Sequence, residues 1–415
     1  MVEMVRVLVG EGAEVDAEDV EGRTALTVAL AFGQEAAARA LLEVGAGVNA
    51  GTGWRPLHAA AERGTVEMVR ELAGKGAEVD AEDGEGRTAL TVALAFGQEA
   101  AARALLEAGL GVNAGTGQRP LHAAAKKGME EMVRELVEKS TEVDAEDGEG
   151  RTALTVALAF GQEAAARALL EAGAGVNAGT GQRPLHAAAK KGSVEMVREL
   201  AGMGAEVDAE DGEGRTALTV ALAFGQEAAA RALLEAGLGV NAGTGQRPLH
   251  AAAKKGMEEM VRELVEKSTE VDAEDGEGRT ALTVALAFGQ EAAARALLEA
   301  GAGVNTGRRP LHVAAEKGMV EMVRELAGKG AEVDAEDAEG RTALTVALAF
   351  GQEAAARALL EAGAGVNAGT GQRPLHAAAE RGLVEMIGDF RQKVELWAEA
   401  HGHCFSTEIL QLVQE

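Results

Sequence analysis

The chain has 415 residues, a formal net charge of −27 and 2% aromatic residues. Apolar residues make up 47% of it, so it can bury a core, which alanine, leucine and valine must fill. Because phosphate groups repel an acidic surface at long range, this charge excludes nucleic acid and anionic membranes as general partners.

The first element is a short apolar and charged segment, MVEMVRVLVG, which aligns with the residues that begin at Met319. That alignment makes it the second helix of a repeating unit whose first helix is missing. Residues 1–19 are therefore predicted to be a partial unit, with a second helix and a finger only. Its open apolar flank indicates a fragment, a misplaced start or a partner that covers the flank.

From residue 20 to residue 386 the sequence repeats with a period of 64 residues. One position of the period is always threonine: Thr24, Thr88, Thr152, Thr216, Thr280 and, after a shorter step of 62 residues, Thr342. Each period contains two half-units, for example RTALTVALAFGQEAAARALLEAGAGV and RPLHAAAKKGMEEMVRELVEKSTEV. Residues 76–177 are identical to residues 204–305, which indicates duplication, so repetition alone does not mark a residue as functional.

Each half-unit predicts a short helix, a longer helix and an extended loop. Pro56 suits the first turn of a helix, where its missing N–H costs nothing, and Leu57 begins an apolar face. Gly64 ends this short helix, and the next runs over about 66–73 with Val69 and Leu72 on its buried side. Two helices this short cannot enclose a core, so they must stack on copies of themselves.

The motif RPLHAAA, with GAEVDAEDGEGRTAL after it, resembles the ankyrin repeat, whose signature is T-P-L-H-x-A at a period of about 33 residues. The resemblance covers nearly the whole chain and implies an all-α fold. That fold is a helix-turn-helix solenoid with β-hairpin finger loops, in a curved and elongated array. Residues 20–386 would form about twelve repeats in 64-residue pairs. One half has Thr27 in place of the histidine of the family signature, and the other has Arg55 in place of its threonine.

After Met386 the repeat pattern breaks. Ile387, Phe390, Val394 and Trp397 fall on one helical stripe. Residues 387–415 are therefore predicted to form a divergent C-terminal helical cap, as solenoids require.

Six histidines stand in the RPLH motifs: His58, His122, His186, His250, His312 and His376. In a stacked array they would lie roughly 20 Å apart, whereas metal ligands converge within about 2.0–2.6 Å of one ion. No serine or cysteine accompanies them at a fixed offset, so a catalytic triad has no nucleophile. We predict a structural role, in which each ring donates to a backbone carbonyl at the repeat junction. His401, His403 and Cys404 lack a fourth zinc ligand, so no metal is expected there. No cofactor is expected either.

The loops carry acidic runs of the form EVDAEDGEG. Their spacing does not fit an EF-hand, so they are predicted to be solvated fingertips that form an acidic rail for a basic partner. Calcium-dependent assembly through these tips is the alternative. The residues proposed for partner contact are Asp80, Glu82, Asp83, Asp144, Glu146, Asp147, Asp208, Glu210 and Asp211.

A phenylalanine ends the first helix of alternate half-units: Phe32, Phe96, Phe160, Phe224, Phe288 and Phe350. The matching position of the other half is a cation: Arg63, Lys127, Lys191, Lys255, Lys317 and Arg381. The family resemblance implies that first helices and fingers line a concave binding surface, so these residues are candidate partner contacts. The alternative is that each phenylalanine packs under its neighbour and fills space beside small alanines.

Together these features predict a non-enzymatic scaffold that binds other proteins, basic or repetitive ones among them, through a concave face and fingers. The alternative is a regulatory or targeting segment of a larger enzyme or channel whose other domains precede Met1. The single cysteine and the absence of an apolar run of roughly 18 residues indicate an intracellular protein, cytoplasmic or nuclear, without membrane insertion.

Overall fold

We describe the protein from a computed structural model, which covers residues 2–52, 54–116, 119–139, 142–237, 239–243, 247–267 and 270–383. The predicted C-terminal cap at 387–415 lies outside these residues. Within them the chain is all-α, as expected, and alternates short and longer helices.

The described residues form 24 helices, numbered in chain order. Even numbers are the first helices of the half-units and odd numbers the second helices. The helices are α1 (Val2–Gly10), α2 (Ala25–Ala31), α3 (Glu35–Glu43), α4 (Pro56–Arg63), α5 (Val66–Gly74), α6 (Ala89–Ala95), α7 (Glu99–Glu107), α8 (Pro120–Lys127), α9 (Glu130–Lys139), α10 (Ala153–Phe160), α11 (Glu163–Glu171), α12 (Pro184–Lys191), α13 (Val194–Gly202), α14 (Ala217–Ala223), α15 (Glu227–Glu235), α16 (Pro248–Lys255), α17 (Glu258–Lys267), α18 (Ala281–Ala287), α19 (Glu291–Glu299), α20 (Pro310–Glu316), α21 (Val320–Gly328), α22 (Ala343–Ala349), α23 (Glu353–Glu361) and α24 (Pro374–Glu380).

A threonine begins each first helix of the TALTVALAF kind. The Oγ1 atom of Thr24 accepts a hydrogen bond from the backbone N of Thr27 at 3.3 Å, and the two Oγ1 atoms lie 3.1 Å apart. This cap satisfies an amide that the helix leaves unpaired. Thr27, which replaces the histidine of the family signature, is thus paired within its own helix.

The RPLHAAA helices start and stop as the sequence predicts. Pro56 occupies the first turn, and Gly64 ends the helix in a left-handed conformation, with φ of 76°. A side chain at Gly64 would also collide with the amide of Gln98, whose Nε2 donates to the carbonyl oxygen of Glu62 at 3.2 Å. The backbone angle therefore favours glycine there, and the Gln98 side chain would have to move to admit any larger residue.

The chain packs as two units, one of residues 1–212 with 228–237 and the other of residues 213–227 with the rest of the chain from 238. In the first unit, helices α2, α4, α6, α8, α10 and α12 each contact the next first helix in this order, and α1, α5 and α9 contact α3, α7 and α11. In the second unit, α14, α16, α18, α20, α22 and α24 stack in the same way. Stacking of first helices on first helices is the arrangement that the short apolar faces require.

The core consists of leucine, valine, methionine and alanine side chains between the stacked helices. Leu57, Val69 and Leu72 are buried, as predicted, and so are Met68 and Leu94. Alanines on the first helices permit close approach of neighbouring repeats, which a chain with few aromatic residues needs to fill its interior.

The β-hairpin fingers that the resemblance implies contain little strand structure. Among the described residues they contain three isolated antiparallel bridges, Glu82 to Thr88, Glu146 to Thr152 and Glu336 to Thr342, and no sheet. Hydrogen bonds accepted by the acidic side chains hold these loops instead. A glycine-containing acidic stretch has low strand propensity.

Candidate functional site

The phenylalanines at the ends of alternate first helices are exposed. Their exposed fractions lie between 45% and 68%: Phe32, Phe96, Phe160, Phe224, Phe288 and Phe350. The alternative in which each ring packs under its neighbour is therefore wrong. Each ring thus offers apolar area for contact with another molecule.

Replacement of Phe96 by alanine is expected to change the free energy of unfolding by less than about 1 kcal/mol, because half of the side chain is already in water. Replacement of Leu94, which is fully buried two residues earlier in the same helix, is expected to cost about 2–5 kcal/mol. Urea denaturation of both variants measures the difference. Equal losses of stability would contradict the exposed placement of the ring.

The predicted cations Arg63, Lys127, Lys191, Lys255, Lys317 and Arg381 are exposed at the ends of the other first helices. The atom that lies over a phenylalanine ring, however, belongs to the preceding lysine. Lys126 Nζ is 4.9 Å from the ring centroid of Phe160, and Lys254 Nζ is 4.8 Å from that of Phe288. These two lysines were not among the residues predicted for partner contact. A difference between copies could have indicated them, because the doublet Lys-Lys stands where other copies have Glu-Arg or Glu-Lys.

Arginines on the second helices form ion pairs with glutamates instead of contacts with an aromatic ring. Each links its own repeat to the next, as Arg70 does with Glu107 at 3.3 Å and Arg103 with Glu135 at 3.3 Å. Comparable pairs recur along both units: Arg6–Glu43, Arg39–Glu71, Arg134–Glu171, Arg167–Glu199, Arg198–Glu235, Arg262–Glu299, Arg295–Glu325 and Arg324–Glu361. Each exposed pair contributes little stability by itself.

The acidic residues of the fingers bind the fingers themselves. Asp80 accepts a hydrogen bond from the backbone N of Gly111 at 2.8 Å, and Glu82 accepts one from Thr116 Oγ1 at 2.7 Å. The next copy repeats this with Asp144 and Glu146, which accept from Gly175 and Thr180. Asp208, Glu210 and Asp211 also have interactions within the protein.

Asp83 corrects the interpretation of the tips as fully solvated. Its carboxylate accepts from the backbone N of Glu85 at 2.8 Å and from the backbone N and Nε of Arg87 at 2.9 and 2.8 Å, and its side chain is 2% exposed. Burial raises the pKa of Asp83, but these hydrogen bonds outweigh burial and hold the pKa below its ordinary value. Asp147 accepts the same three bonds from Glu149 and Arg151. A carboxylate engaged in this way is a poor ligand for calcium or for a basic partner.

The histidines occupy the repeat junctions as predicted. His58 Nε2 donates to the carbonyl oxygen of Arg87 at 3.0 Å, which fixes the tautomer because a carbonyl can only accept. The same bond joins His122 to Arg151, His250 to Arg279 and His312 to Arg341. Each histidine thus fastens its first helix to the following finger.

Burial lowers the pKa of His58, and the bond to the Arg87 carbonyl offsets this only in part. The pKa values of His122, His250 and His312 are lowered for the same reason. The Nδ1 atoms of these four rings and of His186 are buried without a hydrogen-bond partner. A ring with one buried acceptor and one engaged donor is suited to remain neutral.

His376 differs from the other copies, because it is exposed. The residue 29 positions further on, which would carry the carbonyl partner, lies outside the described residues.

Trp54 distinguishes the first RPLH copy from the others. It is half-buried, and its ring centroid is 5.9 Å from that of His58 and 5.6 Å from the Arg87 guanidinium. The sequence analysis did not single it out, although glutamine or arginine stands there in the other copies.

The flank of α1 is open and apolar, as its sequence predicts. Met4, Val7 and Leu8 are more than half exposed. A groove of about 780 Å³ beside α1 is lined by apolar side chains that include Val5 and Phe32.

Two further features concern sites of other kinds. Among the described residues no cluster of three metal-binding side chains occurs. Nor does that part of the chain contain a helix with the length and hydropathy to cross a membrane.

Comparison with known proteins identifies relatives of this architecture. The family model described as "Ankyrin repeats (3 copies)" matches residues 44–116, 108–180, 173–244, 238–308 and 311–388. Human ankyrin repeat and SOCS box protein 16 is 36% identical over 181 residues, which is 40% of each chain. The E3 ubiquitin-protein ligase KEG of Arabidopsis thaliana is 30% identical over 374 residues, which cover 87% of this chain and 20% of that protein.

A channel is also among the similar proteins. The Caenorhabditis elegans homologue of transient receptor potential cation channel subfamily A member 1 is 30% identical over 184 residues, or 43% of this chain and 15% of the channel. The chain thus spans 40% or less of the length of these three relatives. Among solved structures, the human ASB11 ankyrin repeat domain aligns with a TM-score of 0.42 and 27% identity, over 60% of this chain and 99% of that one.

Proposed function

The chain belongs to the ankyrin-repeat family. On that basis we propose that it is a non-enzymatic scaffold that binds other proteins through its first-helix face, the exposed residues at the ends of the first helices. Ankyrin repeats are in general modules that bind proteins. The observation that carries the proposal is the set of half-exposed phenylalanines at one position of alternate repeats. A soluble partner that covers these rings would remove apolar surface from water, which favours association.

The first-helix face is a better candidate than the fingertips. Asp80, Glu82 and Asp83 accept hydrogen bonds from the protein, so a basic partner would compete with bonds that hold the fingers. A repetitive partner suits a face whose contact residues recur. We propose an intracellular site of action on the basis of the single cysteine, and no role for nucleic acid on the basis of the net charge.

A binding experiment with matched variants tests this proposal. We expect that the double variant Phe96→Ala and Phe160→Ala loses the proteins that crosslink to the wild-type chain in cell extract. Met203→Ala, which removes an equally exposed apolar side chain from the end of a second helix, is expected to retain them. Equal recovery by the phenylalanine variant and the wild type would exclude the first-helix face as the binding surface.

The second candidate function is a regulatory or targeting segment of a larger enzyme or channel. It is favoured by the share of the relatives that the chain spans, 40% or less, and by the fact that two of these relatives are an E3 ubiquitin-protein ligase and a channel. The open reading frame that surrounds this sequence decides it: an in-frame catalytic or membrane domain supports this candidate, and in-frame stop codons on both sides contradict it.

A further inference from the structure

Lysines of the two neighbouring first helices approach the end of α10. Lys126 Nζ is 4.9 Å from the ring centroid of Phe160. The side chain of Lys191 approaches Gly161, where an added Cβ would lie 2.6 Å from Lys191 Cε. Within the described residues neither Lys127 nor Lys191 has a carboxylate at ion-pair distance, and both are exposed. The surface around Phe160 therefore combines an exposed ring with uncompensated positive charge.

The second unit has a counterpart. Lys254 Nζ is 4.8 Å from the ring centroid of Phe288, and the adjacent Lys255 is exposed and lacks an ion-pair partner among the described residues. This arrangement contrasts with the second helices, where arginines pair with glutamates of the next repeat. In a chain of formal charge −27, these lysines are exposed cations.

The same position carries the opposite charge elsewhere in the chain. Glu62 precedes Phe96 by the same 34 residues by which Lys126 precedes Phe160, and Glu316 stands in this relation to Phe350. The backbone is held alike in these copies: Gln98 donates to the Glu62 carbonyl at 3.2 Å and Gln162 to the Lys126 carbonyl at 3.4 Å. The charge beside the ring thus varies while the fold does not.

We propose that the Phe160–Lys126 surface and its Phe288–Lys254 counterpart each bind an acidic segment of a partner protein that also carries an apolar side chain. The proposal rests on the proposed function and names the chemistry of the partner. An ammonium group held against a ring retains N–H donors for a carboxylate, and its placement before binding lowers the entropy that binding costs. The ring beside it offers apolar contact to a leucine or phenylalanine of the partner.

Nucleic acid also combines negative charge with flat apolar groups, but the charge of the whole chain disfavours it. A polyanion of many phosphates extends beyond the lysines and meets the acidic remainder of the surface. A short peptide segment with a few carboxylates fits within the basic area. The acidic peptide is therefore the partner that the distribution of charge favours.

The test is a fluorescence anisotropy titration of the full chain with a labelled peptide of alternating glutamate and leucine. We expect binding that weakens with salt, and we expect Lys126→Glu to weaken it about tenfold at the first unit, as does Phe160→Ala. Lys126→Glu reproduces the natural arrangement of Glu62 with Phe96, so the variant should fold. Lys75→Glu makes the same change in net charge at the exposed end of α5 and should leave affinity unchanged.

A gain of binding gives an independent check. Glu62→Lys should create an additional site beside Phe96 and raise the number of peptides bound per chain. Unchanged stoichiometry would overturn the proposal, and so would preference for a lysine-leucine peptide or for single-stranded oligothymidylate. If Phe160→Ala releases protein partners while Lys126→Glu does not, the scaffold function stands and the acidic partner is wrong. If neither variant affects partners that the wild type binds, both proposals fail.

Discussion

Replacement of His122 by alanine is expected to lower the free energy of unfolding by about 2–4 kcal/mol. The side chain is 1% exposed at the junction between α8 and the following finger, so its removal leaves a cavity. It also leaves the carbonyl oxygen of Arg151, which His122 Nε2 contacts at 2.9 Å, without its donor. Urea denaturation measures the loss, and hydrogen exchange locates it in residues 120–160.

His376→Ala is the matched control for His122→Ala. It makes the same change in the same RPLHAAA motif, but at an exposed ring, so we expect a change below about 0.5 kcal/mol. A loss at His376 as large as that at His122 would show that the motif depends on the histidine for a reason other than the junction hydrogen bond.

Acidification from neutral pH is expected to destabilise the repeats in a first step that begins near pH 6.5. Burial lowers the pKa of His58, His122, His250 and His312 in the folded state. Between those lowered pKa values and the ordinary value of about 6.5, the unfolded chain binds more protons than the folded chain. Stability therefore falls as the pH decreases through this window, and four rings act together. Thermal denaturation at a series of pH values measures the effect.

Glutamine substitutions separate this step from other effects of acid. A glutamine at each of the four positions can donate to the same carbonyl but does not titrate, so the first step should become smaller. A second step below about pH 4 should remain. The pKa values of Asp83 and Asp147 are lowered in the folded state, so these carboxylates stabilise the fold until acid protonates them. A first step of unchanged size in the glutamine variant would rule out the histidines as its source.

The polar side chains near the start of the first helix make different hydrogen bonds in the two half-units. Thr24 and Thr27 pair within one helix, whereas His58 reaches the carbonyl of the next finger. Only the second kind ties a repeat to its neighbour through a titratable group. Sensitivity to pH is therefore expected at every second junction, a pattern that hydrogen exchange at mildly acidic pH would resolve along the array.

The sequence by itself determined the helices, their limits and their stacking. Pro56 and Gly64 bracket α4, and the apolar spacing placed Leu57 and Leu72 in the core. These features depend on local backbone chemistry and on helical periodicity, which one sequence displays directly. The family resemblance followed from the same residues, and the family comparison confirms it.

Only the tertiary structure decided which polar and aromatic groups are available. The acidic run predicted a solvated Asp83, but its carboxylate accepts a hydrogen bond from the backbone N of Arg87. The sequence left open whether Phe160 packs in the core, but its ring is exposed, and Lys126, which the sequence did not single out, lies over it. The bonds of Asp83 are local, to Glu85 and Arg87, but a run of carboxylates does not show which of them the turn encloses. The contact between Lys126 and Phe160 joins distant parts of the chain, and its geometry is set by the stacking of whole repeats rather than by local spacing.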